Sequence, residues 1–278
     1  MPDSLTPEKP VHPGNPVTPS KLSDPGEASR LDERIEPGDP AGTAARLRAR
    51  VVTATSLLRA SAERVSDQQA RESSLLPGWS RGHLLTHIAR NADSLRNLLV
   101  WARTGVPKPQ YSSADERSQG IERGAGRSAA ELLADLDASA AALDAEAARL
   151  PGAAWAAKVH GAQGNEHAGW YTLWRRLTEV EIHHVDLRVG YSPADWPEGF
   201  ATYCLEQVAP GFAGPHSPAA TLQSSDAAVA VRIGPPCDQQ ATTVTGPVRM
   251  LLAWLTGRSA GDGLVAEPAG PLPALPSW

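Results

Sequence analysis

The chain has 278 residues, of which 41% are hydrophobic, 21% charged and 5% aromatic, a composition that suits a globular protein of one or two domains able to bury its own core. Its 26 Lys and Arg against 31 Asp and Glu leave a net charge of −5, which offers no general attraction to phosphate backbones or anionic lipid and argues against a nucleic-acid or membrane-surface binder. No run approaches the roughly 18–20 apolar residues of a membrane span, and the N-terminus lacks the layout of a signal peptide, so a cytoplasmic protein is expected.

Residues 1–40 carry 9 of the 25 prolines and 8 Asp and Glu against 4 Lys and Arg, and read as a disordered Pro-rich tail. From Thr43, read as an N-cap, Leu47, Val51, Leu58 and Val65 recur at helical spacing and predict a first helix to about residue 68. Ser80 opens a second helix through Leu84, Leu85, Ile88, Leu95 and Leu99, and Gly105 stops it. A polar loop with Pro107 and Pro109 leads to Ser128, which with Glu131 forms a capping box for a third helix ending at Pro151 and Gly152. A loop rich in Gly and Ala precedes a fourth helix over about 171–189, ended by Gly190.

Four long helices over residues 41–192 make an antiparallel bundle the simplest arrangement. From 193 to 265 the texture changes: a short helix over 200–208, alternating stretches ATLQSS, AAVAVRIG and TTVTG, then a helix started by Pro247 with Met250, Leu251, Trp254 and Leu255. The expected fold is mainly α with a small α+β domain, followed by a second Pro-rich tail at 266–278.

The second helix carries His83, His87 and Asn91 at four-residue steps, and the fourth carries Glu179, His183 and Asp186. A step of four turns a helix by only some 40°, so Glu179 and His183 share a face. With His87 from a facing helix they make a His/Glu/His set, the ligand number and type of a catalytic divalent site that keeps a position open. The competing reading separates them: Glu179 pairs with Arg175 or Arg176, and His183 is a satisfied interhelical histidine. Glu181 with His184 is an internal rival pair, but His184 continues the apolar stripe Leu173, Leu177 and Val180 and belongs inside. His83 sits one turn nearer the helix start, at a rim or capping position. His160, Asn165, Glu166 and His167 are either substrate contacts or a solvated loop. Cys204 and Cys237 lie far apart and outside any CxxC, so neither a disulfide framework nor a zinc ribbon is available.

The stretches LPGWSRGHLLTHIARNADSLRNLLVWARTG at 76–105 and RLTEVEIHHVDLRVGYSPADWP at 176–197 closely resemble the mycothiol-dependent maleylpyruvate isomerase family, and VTGPVRMLLAWLTGR at 244–258 resembles its C-terminal segment. The resemblance implies a DinB-like four-helix bundle followed by a sterol-carrier-like α+β domain. It also implies His87, Glu179 and His183 as ligands of a divalent metal, for which zinc suits best, and mycothiol as the thiol cofactor. The chain departs from the family in its GWYTLWRR segment, where the family has a Pro-Trp-Met-Arg-like run, and in the N-terminal tail.

What the resemblance implies chemically is a cis-trans isomerase converting maleylpyruvate to fumarylpyruvate. The thiol adds to the cis double bond, the resulting single bond rotates, and elimination returns the thiol. An S-transferase that leaves mycothiol on an electrophile is the alternative, and a non-enzymatic binding protein a third reading. Arg258 and then Arg90 are candidates for gripping substrate or cofactor carboxylates, since a guanidinium fork fits a carboxylate. Asn91 can orient a ligand, and Asp186 can accept from a metal-binding histidine. The expected partners are a small-molecule substrate and mycothiol, with no nucleic acid and no membrane, on a monomer or homodimer.

Overall fold

The protein, described here from a computed structural model, is placed over residues 38–236 and 241–278. The expected N-terminal tail lies outside the described residues except for its last three, and Cys237 lies outside them too. Asp39 caps helix α1 (Pro40–Ala62): its side chain accepts from the Gly42 N–H at 2.9 Å, and Pro40 occupies the first turn. Proline suits that position because it lacks the N–H that would go unpaired there. Thr43, read as the cap, is instead a buried residue of the helix.

Helix α1 also stops earlier than periodicity suggests. Val65 is buried in a turn, and Ser66 starts a separate short helix α2 (Asp67–Arg71) through a capping box with Gln69. Helix α3 (Arg81–Thr104) begins at Ser80 and ends at Gly105, whose φ of 72° only glycine adopts without strain. The region read as a polar loop holds helix α4 (Ala114–Ala125), capped by Ser113 with Asp115 and Glu116 in its first turn. Its buried residues, Ile121, Gly124 and Ala125, are too few to give a periodic signal. Helix α5 (Ala129–Arg149) starts at the Ser128–Glu131 capping box.

A second element emerges from the expected loop before the fourth long helix. Strands β1 (Lys158–His160) and β2 (Glu166–Ala168) form an antiparallel hairpin. Helix α6 (Tyr171–Asp186) follows, and the chain leaves it through Arg188, with φ of 56°, and Gly190.

Helices α1, α3, α5 and α6 form the bundle: α3 packs on α5 and α6, and α1 packs on α6 and α5. All 16 residues of α6 are buried. Beyond the bundle contacts, Trp174 packs on Tyr203 and Phe200, and Trp196 donates its indole N–H to the Glu181 carbonyl at 3.0 Å. A helix enclosed on both sides must give each polar side chain a protein partner, a ligand or an uncompensated burial cost.

The C-terminal unit pairs helices α7 (Glu198–Val208) and α8 (Val248–Leu255) beside a sheet of order β4-β3-β5-β6. Strand β3 (Ala220–Ser224) runs antiparallel to β4 (Ala230–Ile233) and parallel to β5 (Thr242–Gly246). Leu222 aligns with Val244, and Val244 with Ala266 of the edge strand β6 (Val265–Glu267), so the register stacks apolar residues on the face covered by α8. The expected Pro-rich tail at 266–278 holds no helix or strand after Glu267, yet it is not detached from the fold. Strand β6 runs past its start, and Leu272, Leu275 and Trp278 pack against the core. Prolines keep the segment out of helices without preventing these side chains from burying apolar surface.

Candidate metal centre

His87 lies on α3 and Glu179 and His183 on α6, where the two helices pack together. The three side chains converge: His87 Nε2 is 3.0 Å from Glu179 Oε2 and 3.2 Å from His183 Nε2, and His183 Nε2 is 3.3 Å from the same carboxylate oxygen. All three residues are buried. The His87 and His183 rings meet edge to face at 4.9 Å, and Trp79 lies against His87 at 5.4 Å.

The donor set tests whether a metal fits. Asp186 Oδ2 accepts from His183 Nδ1 at 2.8 Å, so the Nε2 of a neutral His183 presents its lone pair to the cluster. Burial drives the His87 pKa down to about 4, which keeps it a neutral imidazole at physiological pH. Burial works against the charge of Glu179, but its side-chain contacts with His183 and His87 outweigh it and hold the carboxyl well below its ordinary range. Two nitrogens and a carboxylate oxygen packed this closely suit a divalent cation that all three can face, and the residues present fit one. Glu179 forms no ion pair with Arg175 or Arg176 among the described residues; its partners are the two histidines.

Burial opposes the charge of Asp186, yet the hydrogen bond from His183 and the charge of Arg258 keep its pKa below the usual value. Arg258 grips that carboxylate with two prongs, Nε to Oδ1 at 3.0 Å and Nη2 to Oδ2 at 2.6 Å. The Arg258 guanidinium also lies over the Trp278 ring at 5.1 Å.

Two family models account for most of the chain: the mycothiol maleylpyruvate isomerase N-terminal domain matches residues 51–188, and the corresponding C-terminal domain matches 195–277. The chain belongs to the mycothiol-dependent maleylpyruvate isomerase family. A crystal structure of the mycothiol-dependent maleylpyruvate isomerase is similar at 28% identity and a TM-score of 0.79, covering 84% of this chain and 97% of that one. A histidine-to-alanine mutant of that isomerase is similar to the same extent. No curated protein sequence matches the chain.

The remaining sequence candidates have partners of their own. Asn91 is buried and accepts from Arg176 Nη1 at 2.9 Å, so its direct partner is an arginine. Arg90 directs its guanidinium to Asp135 at 2.5 Å and Asp93 at 3.2 Å, which ties it into ion pairs between α3 and α5. His83 closes the Ser80 capping box, with Nδ1 facing the Ser80 N–H at 3.3 Å. The rival pair is separated: His184 bonds Ser61 Oγ at 2.8 Å and stacks on Tyr191, while Glu181 accepts from the Tyr191 hydroxyl at 2.6 Å.

On the hairpin, His160 stacks on Trp101 and lies 3.8 Å from Glu166, both exposed. His167 is buried against Tyr171, and its pKa falls to about 4 through burial. Further residues lie within electrostatic reach of the cluster: sequence reasoning named Arg175 only as a possible ion-pair partner of Glu179, and missed Tyr111 and Arg117. Arg117 lowers the His87 pKa through its charge, and Tyr111 and Arg175 lie within electrostatic reach of Glu179. For Arg175 a signal existed, since it stands four residues before Glu179 on the same helical face. Tyr111 and Arg117 come from the α3–α4 connection and α4, which periodicity did not reveal.

Proposed function

We propose that this chain isomerises maleylpyruvate to fumarylpyruvate with mycothiol as the thiol. The carrying observation is the buried convergence of His87, Glu179 and His183, from two helices, inside the fold of this family. In this reading those three hold a divalent metal, best suited by zinc, whose charge supplies stabilisation of a bound thiol as thiolate. Asp186 fixes the tautomer of His183 by accepting its Nδ1 proton, and Arg258 holds Asp186 in place. Asn91 orients Arg176, and Arg90 braces α3 against α5.

Among the described residues the one cysteine, Cys204, is a poor nucleophile, which supports an external thiol. Cys204 is buried, and burial pushes its thiol far above the ordinary range. The thiolate sulfur bonds to one carbon of the cis double bond, whose π electrons move onto the adjacent carbonyl system. The new single bond rotates, and collapse of that system expels the same thiolate and leaves the trans alkene. Thiol is regenerated and no redox partner is required.

We further infer that residues 41–192 carry the metal, that residues from 193 onward supply its brace through Arg258, and that the protein works in the cytoplasm as a monomer or homodimer. No described helix is long and apolar enough to cross a membrane, and the net charge of −5 is unsuited to nucleic acid. The test is a paired assay on purified protein: metal by mass spectrometry, then maleylpyruvate with and without mycothiol. Bound metal and catalytic, thiol-dependent fumarylpyruvate formation are expected. A lasting sulfur adduct without the trans isomer would overturn isomerisation in favour of S-transfer.

A further inference from the structure

Arg175 is a buried cation without a carboxylate partner. It is 9% exposed, yet its one hydrogen bond is donated by Nη1 to the neutral amide oxygen of Gln110 at 2.9 Å. Among the described residues it forms no ion pair. An isolated buried guanidinium is costly to keep, so an unpaired one in a folded core marks a place where an anion is expected.

The surroundings hold that guanidinium in place. Gln110 is anchored by its side-chain N–H to Ser94 Oγ at 3.1 Å, and its oxygen also accepts from the Ala162 N–H at 2.8 Å. Gly161, at the turn of the hairpin, leaves the space Arg175 fills; a Cβ there would stand 3.1 Å from Nη1. Neighbouring Arg176 is fully buried, and its Nη1 serves the Ile88 carbonyl and Asn91 while Nε and Nη2 have no hydrogen-bond partner. Glu179 is the one carboxylate whose charge acts on Arg175, and it is turned to the two histidines. The site therefore holds a surplus of positive charge even before any metal is counted.

Position selects the anion. Arg175, Glu179 and His183 succeed one another at steps of four along one face of α6, so the Arg175 backbone stands about 6 Å along the axis from Glu179. A guanidinium there can reach one end of an extended substrate whose other end is at the metal trio. Arg175 also lies in GWYTLWRR, the segment in which this chain departs from the family's run.

We propose that Arg175, presented by Gln110, binds the substrate carboxylate remote from the reacting double bond and makes the site selective for dicarboxylates. This rests on the isomerase reading above only for the identity of the substrate; the preference for a second carboxylate is a property of Arg175 itself.

The experiment compares pimelate, a saturated diacid of the substrate's chain length, with heptanoate, the same chain with one carboxylate. Calorimetry on the full-length metal-loaded protein measures both, for wild type, Arg175→Met and Arg175→Lys. Wild type should bind pimelate at least about tenfold more tightly than heptanoate, the advantage should vanish in Arg175→Met, and Arg175→Lys should restore part of it. In turnover, Arg175→Met should raise KM for maleylpyruvate about ten- to a hundredfold with kcat changed far less and metal content unaltered. An advantage for pimelate that survives Arg175→Met, or its absence in wild type, would overturn the assignment. Equal weakening of both acids would reduce Arg175 to a packing role and overturn it too. If Arg175→Met does not fold, Arg175→Lys decides: an unchanged preference for pimelate with a raised Kd for neither acid counts against the proposal. Failure of wild type to isomerise maleylpyruvate would sink the isomerase reading while leaving the pimelate comparison to judge Arg175 independently.

Discussion

Arg258 and Asp186 are 72 residues apart in sequence and meet in a two-pronged ion pair, and the Asp186 oxygen that takes the shorter prong also accepts from His183 Nδ1. The C-terminal unit thereby touches the candidate metal centre through a single relay, from guanidinium to carboxylate to imidazole. Arg258 and Asp186 side chains are 7% and 0% exposed, so their pairing is shielded from the solvent screening that weakens surface ion pairs.

The relay makes Arg258 a positioning residue with a measurable signature. Arg258→Met leaves the Asp186 charge buried without its cation and should cost about 3–5 kcal/mol of stability. It should also weaken metal binding by about 10–100-fold through misorientation of His183. Urea unfolding and competitive chelation check the two effects. Asp186→Asn combined with Arg258→Met should lose less than the two single losses added, because both remove the same interaction.

Metal binding should depend on each member of the trio. Wild type should carry about one equivalent of a divalent ion, and His87→Ala, Glu179→Ala and His183→Ala should each bring it close to zero, since a three-ligand site holds poorly with two. Mass spectrometry after gentle purification reads this without reference to turnover. Retention of a full equivalent in His87→Ala would remove His87 from the ligand set.

Acid should destabilise the fold through histidines held neutral inside it. Burial brings both His167 and His184 from 6.5 down to about 4 in the folded protein. The unfolded chain therefore takes up protons first as pH falls. Their contribution to stability is complete above about 6.5 and is lost progressively between 6.5 and 4, at up to about 1.4 kcal/mol per pH unit for each group. His184→Gln should flatten the dependence. The difference in unfolding free energy between pH 7.5 and pH 5 should be smaller in the variant than in wild type, as measured by urea titration.

The α3–α4 seam depends on two glycines. A Cβ at Gly124 would run into Thr86, and one at Gly82 into the Ala125 carbonyl. Gly124→Ala should therefore push α4 outward and cost about 1–3 kcal/mol. Adding Thr86→Ala should return part of that loss, which thermal melting of the two variants would show.

What the linear chain determined by itself were the features that act over one or two helical turns. The capping serines Ser80 and Ser128, the stop at Gly105 and the apolar periodicity of the four long helices involve residues close in sequence, so their physics is local. The shared face of Glu179 and His183 is likewise a consequence of helical pitch. Helix α4 escaped notice because it buries only Ile121, Gly124 and Ala125, and the β1–β2 hairpin because its strands are three residues each.

Only the tertiary structure could decide which arginine faces what. Arg90, Arg175, Arg176 and Arg258 are chemically alike in the sequence, and their roles follow from partners far along the chain. Asp135 engages Arg90 across the bundle, Asp186 engages Arg258 between the two units, Asn91 receives Arg176, and Gln110 offers Arg175 a neutral oxygen in place of a charge. An arginine's function depends on whether burial has supplied it a carboxylate, and that is settled by long-range packing rather than by the residues on either side of it.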